Sequence, residues 1–262
     1  MSVLRSRDNP RVKRWSRLAR DARFRKKERR ALLEGPHLVA ALLEQGLAPL
    51  AVLVTENSLS HAEIASLVGK IAVTSCVLSE SLFRAIVDAE NPPGIAAEIA
   101  IPDAERRPSL QSVFLEGVQD PGNVGAIIRS AAAFGAGQIV LDRGCADPWS
   151  PKVLRAGMGG HFRITLRQVE DLGMDLKGFP GKLVCTVPRG GVKLGDADLG
   201  GQIGWVFGAE GQGVSEPVQK MARLRITIGT APATESLNVA AAAAICLHTA
   251  YERQISRRGG GS

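Results

Sequence analysis

Short stretches of β-branched and apolar residues alternate with helical patterns along this chain, and this alternation limits the possible folds more than any other feature of the sequence. In the second half of the chain, helical patterns separate several strand patterns, which occur at 113–115, 138–141, 163–166, 182–187, 205–207 and 224–228. Strands that alternate with helices favour a parallel sheet covered on both faces. We therefore predict a parallel-sheet α/β domain over residues 109–257.

The first hundred residues carry a shorter series of the same kind. Apolar strands and short helices alternate there up to a strand pattern over 95–101, which predicts a small α/β domain over residues 1–103. The stretch from Pro102 to Pro108 contains four charged residues, and we interpret it as a polar linker between the domains. Residues 258–262 are predicted to form a flexible tail.

Positive charge is concentrated at one end of the chain. Residues 1–30 contain thirteen Lys and Arg residues against three Asp and Glu residues, whereas the whole chain has a net charge of +7. Trp15, Leu18 and Ala22 follow helical spacing, so residues 11–30 are predicted to form a basic amphipathic helix. A solvated charged face is the simpler explanation of most charge runs, but so large an excess of cations favours a nucleic-acid surface. The residues expected to contact RNA are Arg11, Lys13, Arg14, Arg17, Arg25, Lys26 and Lys27.

Several classes of protein are disfavoured by the sequence. The longest uninterrupted apolar stretch, Val239–Leu247, has nine residues, which is too few to span a bilayer. Arginines stand near the N-terminus where a secretory signal needs an apolar core, so we expect a cytoplasmic protein, with an arginine-rich transit peptide as the alternative. The four cysteines include no Cys-x-x-Cys pair and are interpreted as reduced core thiols. The four histidines lack the spacing of metal ligands, so we expect no metal site.

Three loops that follow predicted strands carry the polar residues and glycines of a candidate site. One loop leads into a helix with Asn123 and Arg129, a second contains Glu210 among three glycines, and the third ends at Asn238. Ligands of open α/β sheets bind beyond the carboxyl ends of the strands, so we expect the three loops to face one crevice. Taken singly, each loop is explained as well by a plain turn or a helix cap.

The three loops resemble the motifs of the SpoU (TrmH-type) RNA ribose 2'-O-methyltransferases, a family of the α/β-knot superfamily. Asn-Val-Gly-Ala-Ile-Ile-Arg at 123–129 is similar to the first motif, Val-Phe-Gly-Ala-Glu-Gly-Gln-Gly-Val-Ser at 206–215 to the second, and Glu-Ser-Leu-Asn at 235–238 to the third. The first half of the chain is similar to the small RNA-binding domain that precedes the catalytic domain in many such enzymes. That likeness rests on the basic helix, on Leu-Glu-Gly-Pro-His at 33–37 and on Pro-Gly-Ile at 93–95.

The resemblance implies methyl transfer from S-adenosylmethionine to a ribose 2'-hydroxyl of structured RNA. It also implies a deep trefoil knot in the C-terminal domain and a homodimer with the site near the interface. The residues that it nominates for catalysis are Asn123, Arg129, Glu210, Ser236 and Asn238, and those for cofactor binding are Gly208, Ile228 and Leu237. Because an arginine stays protonated, we hypothesise that Arg129 binds an RNA phosphate and stabilises charge that develops on the attacking oxygen.

The chain departs from the family pattern at one position. Family members commonly carry Ile-Pro before the third motif, whereas this chain has Ile228-Gly229. Glycine does not fix φ as proline does, so we expect a looser cofactor loop here.

Alternatives remain for both substrate and activity. Ribosomal RNA, 23S in particular, is the expected substrate, and transfer RNA is the alternative. The chain could also be a non-catalytic RNA-binding protein on the same fold. A nicotinamide-dependent α/β enzyme is disfavoured, because the glycine patterns lack the Gly-x-Gly-x-x-Gly fingerprint with a downstream acid.

Overall fold

The computed structural model describes residues 3–104, 109–232 and 236–259. The α-helices are α1 (Pro10–Arg20), α2 (Ala22–Glu28), α3 (Pro36–Glu44), α4 (Ala62–Gly69), α5 (Glu80–Ile86), α6 (Pro121–Ala133), α7 (Pro151–Gly157), α8 (Gly173–Lys177), α9 (Glu216–Met221) and α10 (Val239–Gly259). The strands are β1 (Arg30–Glu34), β2 (Ala51–Thr55), β3 (Ser75–Leu78), β4 (Ile95–Ala100), β5 (Gln111–Glu116), β6 (Gln138–Asp142), β7 (Thr165–Val169), β8 (Lys182–Thr186), β9 (Val192–Lys193), β10 (Ile203–Gly208) and β11 (Leu224–Thr227).

The chain divides into two compact units. The first contains residues 1–103 together with 147–162, and the second contains residues 104–146 and 163–262. Residues 147–162 were predicted as part of the second domain, because the alternation of strands and helices continues through them. The segment belongs to the first unit because Arg155 of α7 pairs with Glu34 and Asp88, each at 2.7 Å. Most of the predicted linker (105–108) and the end of the predicted tail (260–262) lie outside the described residues.

A four-stranded sheet in the order β1-β4-β2-β3 forms the centre of the first unit. Its β1–β4 and β4–β2 pairs are antiparallel, and its β2–β3 pair is parallel. The apolar side of α1 carries Val12, Trp15 and Leu18, which are buried among residues of this sheet and of α5. The first unit is therefore an α/β domain whose core includes the basic N-terminal segment.

The basic segment differs from the single helix predicted over 11–30. Asp21 has an extended backbone (φ −115°, ψ 102°) and separates α1 from α2. Its carboxylate accepts a hydrogen bond from the Phe24 N–H at 2.9 Å and so caps α2. An aspartate at such a position competes for backbone donors and favours a new helix start over continuation. The backbone hydrogen bond from Phe24 lowers the pKa of Asp21, because it stabilises the carboxylate.

A seven-stranded sheet in the order β7-β6-β5-β10-β8-β11-β9 forms the second unit, and all of its strand pairs are parallel. The central strands β5 and β10 are almost entirely buried. This confirms the predicted parallel α/β architecture. Because the strands are parallel, their carboxyl ends lie along one edge of the sheet, and the loops after β5, β8, β10 and β11 begin at that edge.

Within residues 3–104, 109–232 and 236–259, neither a membrane-spanning helix nor a metal-binding cluster is present. None of the helices there is long and apolar enough to cross a membrane. No group of three or more His, Cys, Asp or Glu residues in those ranges is placed to hold a metal ion. The four cysteines are free and buried. Burial raises the pKa of Cys145 and of Cys246 to about 12, so both thiols stay protonated and unreactive at neutral pH.

Candidate active site

A cavity of about 340 Å³ opens at the carboxyl edge of the parallel sheet. Its walls come from the loops after β8, β10 and β11 and from the segment that leads into α10. Gly208, Ile228 and Leu237, the three residues expected to bind the cofactor, all line it. The loops after β10 and β11 therefore meet at one crevice, as the sequence predicted for the ends of parallel strands.

The loop that follows β10 is tightly folded because of its glycines. A Cβ on Gly208 would lie 2.1 Å from the carbonyl carbon of Gly213, which leaves room for glycine alone. Gly213 has φ +68°, and its N–H donates to the Ala209 carbonyl at 2.8 Å. Glycine adopts this conformation without strain. As a result, main-chain atoms are accessible along this wall of the cavity at its glycines.

Side chains from all three motif segments are joined by hydrogen bonds, and two of them, Glu210 and Asn238, line the cavity. Asn123 Nδ2 donates to Glu210 Oε1 at 2.6 Å, and Asn238 Nδ2 donates to the same oxygen at 3.0 Å. Asn238 Nδ2 also lies 2.9 Å from Asn123 Oδ1. These residues are 28 to 115 positions apart in the chain. Asn123, Glu210 and Asn238 therefore form one polar cluster, which we call the amide–carboxylate cluster.

Helix caps place the two asparagines of the cluster. Asp120 caps α6 by accepting the Asn123 N–H at 2.8 Å, which sets Asn123 in the first turn. Asn238 Oδ1 accepts the N–H groups of Ala240 and Ala241 at 2.9 and 3.2 Å, so the side-chain NH2 of Asn238 is directed to Glu210. The Glu210 carboxylate consequently lies near the N-termini of two long helices, where their dipoles favour a negative charge.

Arg129 is not part of the cavity wall in the single chain. It lies six residues after Asn123 on α6, which at 3.6 residues per turn places it on another side of the helix. Its side chain is exposed. Among the described residues, those that line the cavity include none from this turn of α6. Ser236, by contrast, lines the cavity beside Leu237 and Asn238. The structure thus brings together four of the five nominated catalytic residues, with Arg129 apart.

Sequence reasoning missed a fourth loop at this site. Thr186 ends β8, and Val187 and Pro188 follow it; all three line the cavity, and Gln219 of α9 lines it as well. The position of these three residues at the carboxyl end of a strand of the parallel sheet was the available signal, but they include no charged or amide side chain. Glu235 of the third motif lies outside the described residues.

Gly229 occupies the position at which the family pattern has proline. A Cβ built there meets no atom within 4 Å, and its φ is outside the left-handed region. Neither space nor backbone conformation therefore requires glycine at this position.

Two of the seven residues expected to bind RNA, Arg14 and Arg25, are not exposed and pair with carboxylates inside the first unit. Arg25 is only 4% exposed, and its guanidinium donates to Asp147 Oδ2 at 2.7 Å and to the Leu18 carbonyl at 2.6 Å. We therefore correct its assignment from RNA contact to internal ion pair. Arg14 is half-buried and pairs with the buried Glu98 at 2.6 Å. The exposed members of the set are Arg11, Lys13, Arg17, Lys26 and Lys27.

Two family models match separate parts of the chain. Residues 111–248 match the model of the SpoU rRNA Methylase family. Residues 9–97 match an MRM3-like substrate binding domain. An uncharacterised tRNA/rRNA methyltransferase of Synechocystis is 33% identical, with 97% of this chain and 95% of that protein aligned. The Bacillus subtilis 23S rRNA (guanosine(2553)-2'-O)-methyltransferase RlmP is 30% identical over 95% of this chain and 98% of its own length.

Solved structures resemble the whole chain. A crystal structure described as an RNA 2'-O ribose methyltransferase has a TM-score of 0.82 at 27% identity, covering 97% of this chain and all of that one. An AdoMet-bound rRNA methyltransferase from Sinorhizobium meliloti has a TM-score of 0.79 at 26% identity, covering 96% of this chain and 98% of that one.

Proposed function

This chain belongs to the SpoU rRNA Methylase family, and from that premise we propose that it methylates a ribose 2'-hydroxyl of ribosomal RNA with S-adenosylmethionine as methyl donor. The observation that carries the proposal is the amide–carboxylate cluster, because it joins all three family motifs beside one cavity. Ribosomal RNA is favoured over transfer RNA by the relative from Bacillus subtilis.

The cavity fits the proposed cofactor. Its volume of about 340 Å³ lies in the range of small-molecule sites, which is about 300–1,000 Å³. Val187, Ile228 and Leu237 offer an apolar slot for a flat base, and the main chain of residues 208–213 offers donors and acceptors at close approach. When bound, S-adenosylmethionine supplies an activated methyl group that needs no further activation by the protein.

The protein's own residues then have to place the attacking hydroxyl. Fixing the ribose oxygen in line with the methyl group converts an encounter into an intramolecular step, which can account for much of the rate. Ser236 and the amide–carboxylate cluster lie where they can hold the ribose at the cavity mouth. Since Glu210 Oε1 already accepts two amide donors, its part in this proposal is to hold the two asparagines and the loops in place.

Arg129 enters this proposal through a second copy of the chain. In the single chain the arginine is exposed and lies away from the cavity wall. The neighbouring α10 exposes Ile245 at 40% and Ile255 at 48%, which is apolar surface that a partner helix would cover. We propose a homodimer in which the partner's α6 delivers its arginine to the cavity mouth, where it binds an RNA phosphate next to the reacting ribose.

The first unit is proposed to bind the RNA. It matches a substrate-binding domain over residues 9–97, and the exposed cations of α1 and α2 give it a basic surface. Double-stranded RNA is recognised largely by shape and backbone, and loops by exposed bases. A folded domain with a cationic surface suits a structured ribosomal RNA segment.

The direct test is to map 2'-O-methyl groups in total RNA from cells with and without the gene. We expect one or more ribosomal RNA sites to lose methylation without the gene, and the purified protein to restore them with S-adenosylmethionine. Loss of a site in transfer RNA instead would favour the alternative substrate. Unchanged maps, together with no cofactor binding in a titration, would remove the proposal.

A further inference from the structure

Glu116 lies beside the start of the loop that forms one wall of the cavity and is hydrogen-bonded to the residue that follows its end. At the start of the loop, Gly208 is the register partner of Glu116 in the parallel β5–β10 pair. At its end, the Glu116 carboxylate accepts the Ser215 N–H at 2.7 Å and the Ser215 Oγ–H at 2.6 Å. Residues 208–214 all line the cavity, whereas Glu116 and Ser215 are not among the described residues that do. Glu116 therefore acts on the cavity only through this loop.

Ser215 does not play the usual role of a serine at its position. It is the N-cap residue of α9, but its side chain makes no capping hydrogen bond to that helix. A serine in this position ordinarily accepts from an N–H of the first helical turn. Here the hydroxyl donates to Glu116 instead. The hydrogen bond therefore serves the attachment of the loop rather than the stability of α9.

We propose that Glu116 is a positioning residue that holds loop 208–214 in its cofactor-binding conformation through Ser215. Hydrogen bonds to an ionised carboxylate are about twice as strong as neutral ones, and those of Glu116 are short and half-buried. A loop that is already held in place loses little conformational entropy when the ligand binds. When a loop has several conformations, only the fraction of molecules in the binding conformation can bind, and the apparent affinity falls in proportion to that fraction. The identity of the ligand rests on the proposed function, and the attachment itself does not.

The test compares cofactor affinity among four variants by calorimetric titration at 25 °C. Glu116→Gln keeps one acceptor oxygen, and its NH2 group can only donate to the Ser215 hydroxyl oxygen. Neutral hydrogen bonds then replace the two to a carboxylate, so we expect affinity for S-adenosylmethionine to fall about tenfold. Ser215→Ala removes one of the two hydrogen bonds, so its affinity for S-adenosylmethionine should fall by less. Ser215→Thr keeps the hydroxyl and should remain within about twofold of the wild type. The double variant Glu116→Gln/Ser215→Ala should lose less affinity than the two single losses combined, because both changes act on one interaction.

A matched control removes another carboxylate contact of the same unit. Asp198 pairs with Lys182 at 2.6 Å, at the amino end of β8 and thus at the edge of the sheet opposite the cavity. Asp198→Asn should leave cofactor affinity unchanged. A variant that only loses stability would have a lower melting temperature, but its folded molecules would still bind the cofactor with wild-type affinity.

A second measurement is independent of the cofactor. In the cofactor-free protein, hydrogen exchange at the Gly213 N–H, which donates to Ala209, reports whether the loop opens. We expect faster exchange in Glu116→Gln and Ser215→Ala. If both variants bind the cofactor like the wild type and exchange at the same rate, the inference is wrong. If the wild type itself fails to bind S-adenosylmethionine, the proposed function fails, and the exchange rates still decide the role of Glu116. Should Glu116→Gln not fold, Ser215→Ala decides both measurements.

Discussion

Single residues in this protein combine a structural contact with a proposed chemical one. Asn238 caps α10 with its side-chain oxygen and binds Glu210 with its side-chain nitrogen. The same side chain therefore fixes the start of a helix and one corner of the site. Arg25 shows the opposite outcome, since a residue taken as an RNA contact from its charge is buried in an ion pair. Charge type alone did not distinguish an internal arginine from an exposed one.

Arg129→Ala is expected to abolish most methyl transfer while leaving the fold and cofactor binding intact. The arginine is exposed and does not line the cavity of its own chain, so its removal leaves no buried group unpaired. Loss of one charge-stabilising donor typically lowers kcat by about 10²–10³-fold. Single-turnover transfer and a cofactor titration measure the two quantities separately. Arg143→Ala is the control, because Arg143 is another exposed arginine of the second unit and pairs with Glu170. Near-normal kcat for Arg129→Ala with intact RNA binding would exclude the arginine from the reaction.

His161 is expected to make stability depend on pH. It is 2% exposed, its Nε2 lies 2.8 Å from the Pro148 carbonyl, and its Nδ1 has no hydrogen-bond partner among the described residues. Burial lowers its pKa to about 4 from 6.5. The unfolded chain therefore takes up a proton near pH 6.5 that the folded chain does not, and stability is lost as the pH falls from about 6.5 towards 4, by up to about 3 kcal/mol.

Urea unfolding at pH 7.5, 6 and 4.5 measures this contribution when the wild type is compared with His161→Gln. The other titrating groups contribute equally to the unfolding free energy of both proteins, so their contributions cancel in the difference. We expect the advantage of the wild type to shrink steadily with falling pH. Parallel curves would mean that the imidazole titrates alike in the folded and unfolded chain.

At the scale of elements, the α1–α2 segment carries both core and surface. Trp15 and Leu18 are fully buried, while Lys26 and Lys27 are exposed on the next helix. Deletion of this segment would remove core residues together with charges, so point substitutions are the suitable probe of RNA binding. The alternation of buried and exposed positions follows the helical period, and Asp21 alone interrupts it.

Arg25→Ala is expected to reduce stability, whereas Lys27→Ala is expected to reduce RNA binding. The first leaves Asp147 without its buried partner and should lower the free energy of unfolding by about 3 kcal/mol. The second removes an exposed cation and should leave stability within about 0.5 kcal/mol. Lys27→Ala should weaken RNA binding and lower the slope of log affinity against log salt concentration by about one unit. Denaturant unfolding and binding titrations at several salt concentrations check both. Equal RNA affinity for Lys27→Ala and wild type would show that this face only keeps the protein soluble.

At the scale of the whole molecule, the chain passes between its two units three times. It leaves the first unit after residue 103, returns for 147–162, and leaves it again. The first unit is thus not a simple N-terminal module that can be removed at one linker. The proposed dimer adds a second level, because it assigns the cavity to one copy and the arginine to the other.

Complementation between inactive chains tests that assignment. Leu237→Asp places a charge in the proposed apolar slot and should abolish cofactor binding, while Arg129→Ala keeps it. Co-expressed with two different tags and purified as a heterodimer, the two variants should regain about half of the wild-type activity, because one of two equivalent sites is complete. Each variant alone serves as the inactive reference. An inactive heterodimer would place Arg129 in the site of its own chain or in none, and a monomer in solution would exclude the proposed dimer.

Sequence alone determined the parallel α/β architecture of the second unit and the identity of the loops at its site. Strand patterns are local, and ligand loops follow strand ends by the geometry of any parallel sheet, so Gly208, Glu210 and Asn238 could be placed at one edge. The trefoil knot stays a prediction of the family resemblance. Only the tertiary structure decided that Arg25 is internal, that 147–162 joins the first unit, and that Glu116 holds the loop through Ser215, 99 positions away. The physical reason is that burial and ion pairing depend on residues distant in sequence, which no local periodicity records.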